Sequence, residues 1–347
     1  MADIDGDEVV KIARQAVQVV QDNYERNGED FILSLRMGFA FVKKELRRLS
    51  DVDMSVFDRL STKVIDSLIK YTQGNVAYVY RSMSLWWSGN TISYNENIRN
   101  KNSNDILGAY GLLFELTNDI PMYRIREGTV GKNFGKHDMF AVPFSERRVL
   151  GNYRYSVSGY PCLYAGMSLY GCWEETRRLS FDNIFATQLR LKKTIESHNL
   201  LDLRLVRELT SQTALVNYIQ TLPLIIACTI PVPKKYDTKD YPFKLEYAFP
   251  QFLMNAITQK PHYIQGKEIY GIIYTSTQCQ GGIQKVKSPE CDNIAIPVPS
   301  QREETNFMHQ FEIKPPVHIA YGGLSTSVPV NLKTLENLLQ QINYESL

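Results

Sequence analysis

Between Arg154 and Thr176 the chain reads RYSVSGYPCLYAGMSLYGCWEET, and this stretch holds an arginine (Arg154), a tyrosine (Tyr164) and a glutamate (Glu175) with different chemical capacities. A guanidinium presents a planar fork of donors that matches phosphate oxygens. A tyrosine face stacks on a flat aromatic ring. A carboxylate can hold a sugar hydroxyl while stabilising positive charge on the neighbouring carbon. Together these capacities fit a dinucleotide with a positively charged ring, NAD+. Breaking its nicotinamide–ribose bond creates an oxocarbenium-like centre, as in glycoside hydrolysis. Nicotinamide leaves as a neutral molecule without a general acid, so one carboxylate suffices. The same residue types also fit a loop surface charge, a half-buried strand residue and a solvated helix face, and type alone does not choose.

The order of motifs narrows the choice. Arg154-Tyr155 is followed by Gly159-Tyr160-Pro161-Cys162-Leu163-Tyr164, then by Trp173-Glu174-Glu175-Thr176. Further on come Tyr270-Gly271-Ile272-Ile273-Tyr274-Thr275-Ser276 and Asn293-Ile294-Ala295-Ile296. This series resembles the RES domain, a family of NAD+-consuming proteins named for an Arg, a Glu and a Ser, and known chiefly as toxins of bacterial toxin–antitoxin pairs. The resemblance implies an ADP-ribosyltransferase-like fold and an NAD+ glycohydrolase, with Glu175, Arg154 and Tyr164 catalytic and with Ser276, Asn293 and Arg124 binding NAD+. It also implies a role as a toxin or defence effector and an antitoxin or regulatory protein as partner. ADP-ribosyl transfer to a protein is the alternative outcome of the same pocket, and an inactive RES-like scaffold is the alternative class. The sequence departs from the family where Cys172-Trp173-Glu174 replace small residues before the acid, making Glu174 a competitor for its role. It departs again where Tyr270 replaces an Asp before Gly271.

The elements that must carry these residues follow from periodicity. Residues 1 to about 100 repeat apolar side chains at helical spacing, with breaks at Asn27-Gly28, Ser50-Asp51 and Gly74-Asn75, which predicts a small all-α bundle. The Asn- and Ser-rich stretch Ser88–Asp105 reads as a linker. The expected division is therefore a helical domain with linker over 1–105 and a catalytic domain over 106–347. In the second part, 122–126 and 185–191 alternate as strands, 162–165 is a short strand, and Leu224–Ile230 reads as a buried strand. Ser168 is the expected N-cap of the helix that bears the acid. Helical patterns over 203–219 and 249–259 intervene without regular βαβ alternation, so the expected class is α+β with a mixed sheet core and flanking helices. Arg124 and Arg126 fall on the same face of the first strand, and alternation leaves the choice between them open.

Composition excludes several classes. The net charge of +2 is too small for a nucleic-acid binder. No apolar run reaches the roughly 18 residues of a membrane span, and the N-terminus MADIDGDEVV has no signal-peptide pattern, so the expected location is the cytoplasm. Five cysteines without Cys-x-x-Cys spacing read as free packing thiols. Five scattered histidines without HExxH give no metal site, and no cofactor beyond NAD+ as substrate is expected. The helical domain's amphipathic faces suggest docking or homo-oligomerisation.

Overall fold

The computed structural model describes residues 5–26, 30–49, 52–83, 86, 106–129, 134–238, 240–259, 261–279, 282–285 and 287–318. In chain order its helices are α1 (Gly6–Gln21), α2 (Phe31–Leu49), α3 (Ser55–Thr72), α4 (Val76–Met83), α5 (Ile106–Tyr110), α6 (Leu169–Glu175), α7 (Gln212–Thr229), α8 (Leu245–Gln259) and α9 (Glu304–Met308). The strands are β1 (Leu113–Leu116), β2 (Met122–Glu127), β3 (Cys162–Gly166), β4 (Ile184–Leu191), β5 (His198–Leu203), β6 (Tyr263–Ile264), β7 (Lys267–Thr275), β8 (Asp292–Pro297), β9 (Phe311–Ile313) and β10 (Val317–His318). Strands pair both parallel and antiparallel, and helices precede the sheet, so the fold is α+β as expected. No helix among the described residues is long and apolar enough to cross a membrane. The predicted linker, Ser88–Asp105, lies outside the described residues.

Two compact units make up the chain, each drawing on several segments. The first comprises Met1–Phe114, Asn152–Ser158 and Asn199–Thr277. The second comprises Glu115–Gly151, Gly159–His198 and Gln278–Leu347.

In the first unit, carboxylates start the N-terminal helices. Asp5 accepts from the Asp7 amide at 3.0 Å, Asp30 accepts from Ile32 at 2.8 Å, and Asp53 accepts from Ser55 at 3.0 Å. Apolar stripes such as Val9, Ala13, Ala16, Val17 and Val20 face inward. At the α1–α2 crossing Gly38 lies so close to Val20 that a Cβ would stand 2.5 Å from its Cγ2, so only glycine permits this approach. Helices α1 and α3 pack on α7, whose buried Gln220 fastens the start of α3. Its Oε1 accepts from the Phe57 amide at 2.8 Å, and its Nε2 donates to the Asp53 carbonyl at 2.5 Å. Tyr80 meets Phe252 of α8 edge to face with centroids 5.6 Å apart, and buried Trp86 leans on Phe249 at 5.9 Å. Tyr80 and Trp86 are thus packing residues, whereas Tyr78 is exposed. Parallel β5 and β7 pair here, and β6 folds back on β7 through Gln265-Gly266, both at positive φ.

One expected strand is overturned. Leu224–Ile230 belongs to α7, apart from Ile230, which ends it. Fourteen of the eighteen α7 residues are buried, so the helix is covered on all sides and shows no amphipathic period. Such a run reads alike as a buried strand or a buried helix. The helix expected from Leu203 starts only at Gln212, after Ser211 caps it, because Leu203 still belongs to β5.

In the second unit β2 lies between β3 and β4, both antiparallel to it, β3 also pairs with β8, and β4 takes β9 and β10. Tyr123 and Ile125 of β2 pack with Ile184 and Ala186 of β4 against Leu169 and Cys172 of α6. That cluster seats α6 on one face of these strands. The expectation of free thiols holds for Cys162, Cys172 and Cys228 and fails for Cys279 and Cys291, which form a disulfide with Cα atoms 6.3 Å apart. Spacing alone carried no sign of a pairing that depends on where the fold returns the chain.

Candidate functional site

The second unit brings a tyrosine, an asparagine and a carboxylate to one face. In β3 successive side chains alternate, so Cys162, Tyr164 and Gly166 share a side. A Cβ built on Gly166 would stand 2.6 Å from the Cys172 sulfur and 3.0 Å from the Asn293 Oδ1, which identifies that side as the one covered by α6. Directly opposed residues of antiparallel strands point the same way. Asn293 opposes Gly166 and Ala295 opposes Tyr164, so both belong to this face as well. The chain then turns into α6 through Ser168, whose Oγ accepts from the Gly171 amide at 2.8 Å and donates to the Glu290 carbonyl at 2.6 Å. That is the N-cap read from the sequence, now tied to the approach of β8. At the far end of α6 the Glu175 Oε1 accepts from the Asn293 Nδ2 at 2.9 Å. Glu175 is exposed, whereas Asn293 is 4% exposed. An accessible carboxylate is therefore steadied by a buried amide, beside the small residues Gly166 and Ala295.

Glu174, the competitor, has a different environment. It is 3% exposed and makes a forked ion pair with Arg178, at 2.8 and 3.1 Å. Arg177 and Arg178 both sit at φ 58°, the left-handed region, where the helix unwinds and the Arg178 amide donates to the Trp173 carbonyl at 3.0 Å. The ion pair and the Arg178 guanidinium, 5.3 Å over the Trp173 ring, hold this strained end. Beside them the Tyr170 hydroxyl titrates higher than usual, through burial first and then its hydrogen bond to Glu174. The bulky residues before the acid also have a place. The Cys172 thiol donates to the Tyr123 carbonyl at 3.1 Å, and Trp173 stacks on Phe181 at 5.3 Å.

Arg154 and Ser276 belong to the first unit. Arg154 is buried, with its guanidinium 3.3 Å from the Cys228 carbonyl, 3.5 Å from the Glu246 carbonyl and 3.4 Å from the Thr277 hydroxyl, and 4.8 Å over the Tyr247 ring. Ser276 is fully buried at the end of β7. Burial raises the Cys228 thiol to about 12, which removes it as a nucleophile. Thr277, Glu246 and Tyr247 were not singled out in the sequence, because they lie 92 or more residues from Arg154 along the chain.

Arg124 and Arg126 stand together on one face of β2. Tyr123 opposes Gly166, so Tyr123 and Ile125 face α6, and the pleat turns Arg124 and Arg126 to the opposite face. There Arg126 donates to the Phe140 carbonyl at 3.0 Å, and Arg124 opposes Thr187. Neither arginine stands on the face that carries Glu175. Among the described residues no group of three or more His, Cys, Asp or Glu could hold a metal ion.

The chain is 32% identical over 202 residues to a Bacillus subtilis (strain 168) protein named "Putative toxin YopC", a match covering 53% of this chain and 43% of that protein. The chain thus spans less than half the length of the curated relative it matches. No family model matches, and no solved structure matches.

Proposed function

We propose that the chain is an NAD+-consuming enzyme that cleaves the nicotinamide–ribose bond, and that this activity makes it a toxin. The observation that carries the reading is the Glu175–Asn293 pair, an accessible carboxylate fixed by a buried amide on the face of Tyr164. In this reading the Tyr164 ring stacks on nicotinamide. The Glu175 carboxylate accepts from the ribose 2′-hydroxyl, and its charge stabilises the cation that forms as the bond breaks. The Asn293 amide prevents the carboxylate from rotating away, so the charge is in place before the reaction. Water completes the exchange: NAD+ and water become ADP-ribose, nicotinamide and a proton.

Support for the toxin role comes from the name of the Bacillus subtilis relative, and an antitoxin is the partner that such a role requires. The test is incubation of the purified full chain with NAD+ and measurement of nicotinamide. Release by the wild type and its loss in Glu175→Gln support the reading; no release from the wild type overturns it. Free ADP-ribose among the products marks hydrolysis, and ADP-ribose retained on protein marks transfer.

A further inference from the structure

The Cys279–Cys291 bond closes a segment whose last residues run into the Glu175 site. Immediately before Cys291, the Glu290 carbonyl accepts from the Ser168 hydroxyl at 2.6 Å, the bond that anchors the N-cap of α6. Immediately after it, the Asp292 carbonyl accepts from the Met167 amide at 2.8 Å. The next residue is Asn293, which holds Glu175. There is no slack at this seam, because a Cβ on Gly171 would stand 2.7 Å from the Glu290 carbonyl. Three consecutive contacts to the turn and helix that carry the acid thus depend on the position of the chain at Cys291. The cross-link fixes that position covalently.

We propose that this disulfide is a redox switch on the acid: oxidised, it clamps residues 290–293 against α6, and reduced, it lets the cap loosen and Glu175 shift. The proposal rests on the reading of Glu175 as the working carboxylate. The step is thiol–disulfide exchange. A thiolate of a dithiol reductant attacks one sulfur, the Cys279–Cys291 bond breaks, the other cysteine leaves as a thiolate that takes up a proton, and a mixed disulfide forms. The reductant's second thiol then closes its own disulfide and releases the protein's second sulfur as a thiol. The protein takes up two electrons and two protons, and the dithiol is oxidised. Both cysteines are buried, at 5% and 4% exposure, so reduction is slow until the segment opens.

The experiment compares the oxidised full chain with the same chain reduced by dithiothreitol, by hydrogen exchange of the Gly171 amide, which is bonded to the Ser168 Oγ, and by NAD+ cleavage. Reduction is expected to lower Gly171 protection by about tenfold or more and to lower cleavage, while amides of α1 keep their protection. Cys279→Ser in oxidising buffer should match the reduced wild type in both readouts. Equal Gly171 protection in the two states overturns the switch, as does lowered protection with unchanged cleavage. If neither state cleaves NAD+, the reading of the reaction fails, and the Gly171 comparison alone decides whether the disulfide governs the cap.

Discussion

Adjacent glutamates at the end of α6 give the sharpest test of the site. Glu175→Gln keeps an acceptor oxygen for the Asn293 amide at 2.9 Å and removes only the charge. The side chain is exposed, so the folded state loses about 0.5 kcal/mol or less, and Tm should barely move. Cleavage should fall about a hundredfold to a thousandfold, roughly 2.7–4 kcal/mol of transition-state stabilisation, as for other preorganised electrostatic groups. Glu174→Gln should do the reverse. It breaks the forked pair that holds Arg178 against a helix end with two residues at φ 58°, so Tm should drop while cleavage per folded molecule stays near the wild type. Nicotinamide release and thermal melts on both variants read out the crossing. Loss of cleavage in Glu174→Gln with an unchanged melt would show that the wrong carboxylate has been assigned.

A chain of residues 106–347 should lack a cooperative melt, because fourteen α7 residues buried in the whole chain would lose the cover of α1 and α3, and Gln220 its partners at Asp53 and Phe57. A sharp transition in that fragment would refute this. Arg154→Lys should destabilise the fold by about 1–3 kcal/mol, since a single ammonium cannot serve the Cys228 and Glu246 carbonyls and the Thr277 hydroxyl together; an unchanged melt would leave Arg154 a role in binding alone. Burial holds His198 below its usual range, only partly offset by its bond to Gln310. Its unfolded form therefore takes up a proton first, and its contribution to stability is full above about pH 6.5 and is lost as pH falls towards the folded value. His198→Gln should flatten the Tm profile between about pH 7 and 5, and an identical slope in both proteins would exclude His198 as the source.

What the sequence disclosed was local. Alternation over 122–126, the Ser168 cap and the glutamate seven residues beyond it needed only near neighbours, and the fold bears out the two elements. Leu224–Ile230 was misread because a helix buried on every side carries no period. Arg124 and Arg126 were known to share a face, but which face depended on Tyr123 opposing Gly166, a register between strands that no single segment encodes. The disulfide was hidden for the same reason.

Glu174 and Glu175 show where the boundary lies between what is local and what is not. Successive residues on a helix project about 100° apart, so one of the two had to turn away from the other's partners, and Arg178 at i+4 was a visible ion-pair candidate for Glu174. The partner of Glu175 was not visible, because Asn293 lies 118 residues away and reaches it only through the pairing of β3 with β8. The local ion pair occupies one carboxylate with holding the helix end. The distant amide orients the other and leaves it open to solvent, which is the state a substrate-binding acid requires.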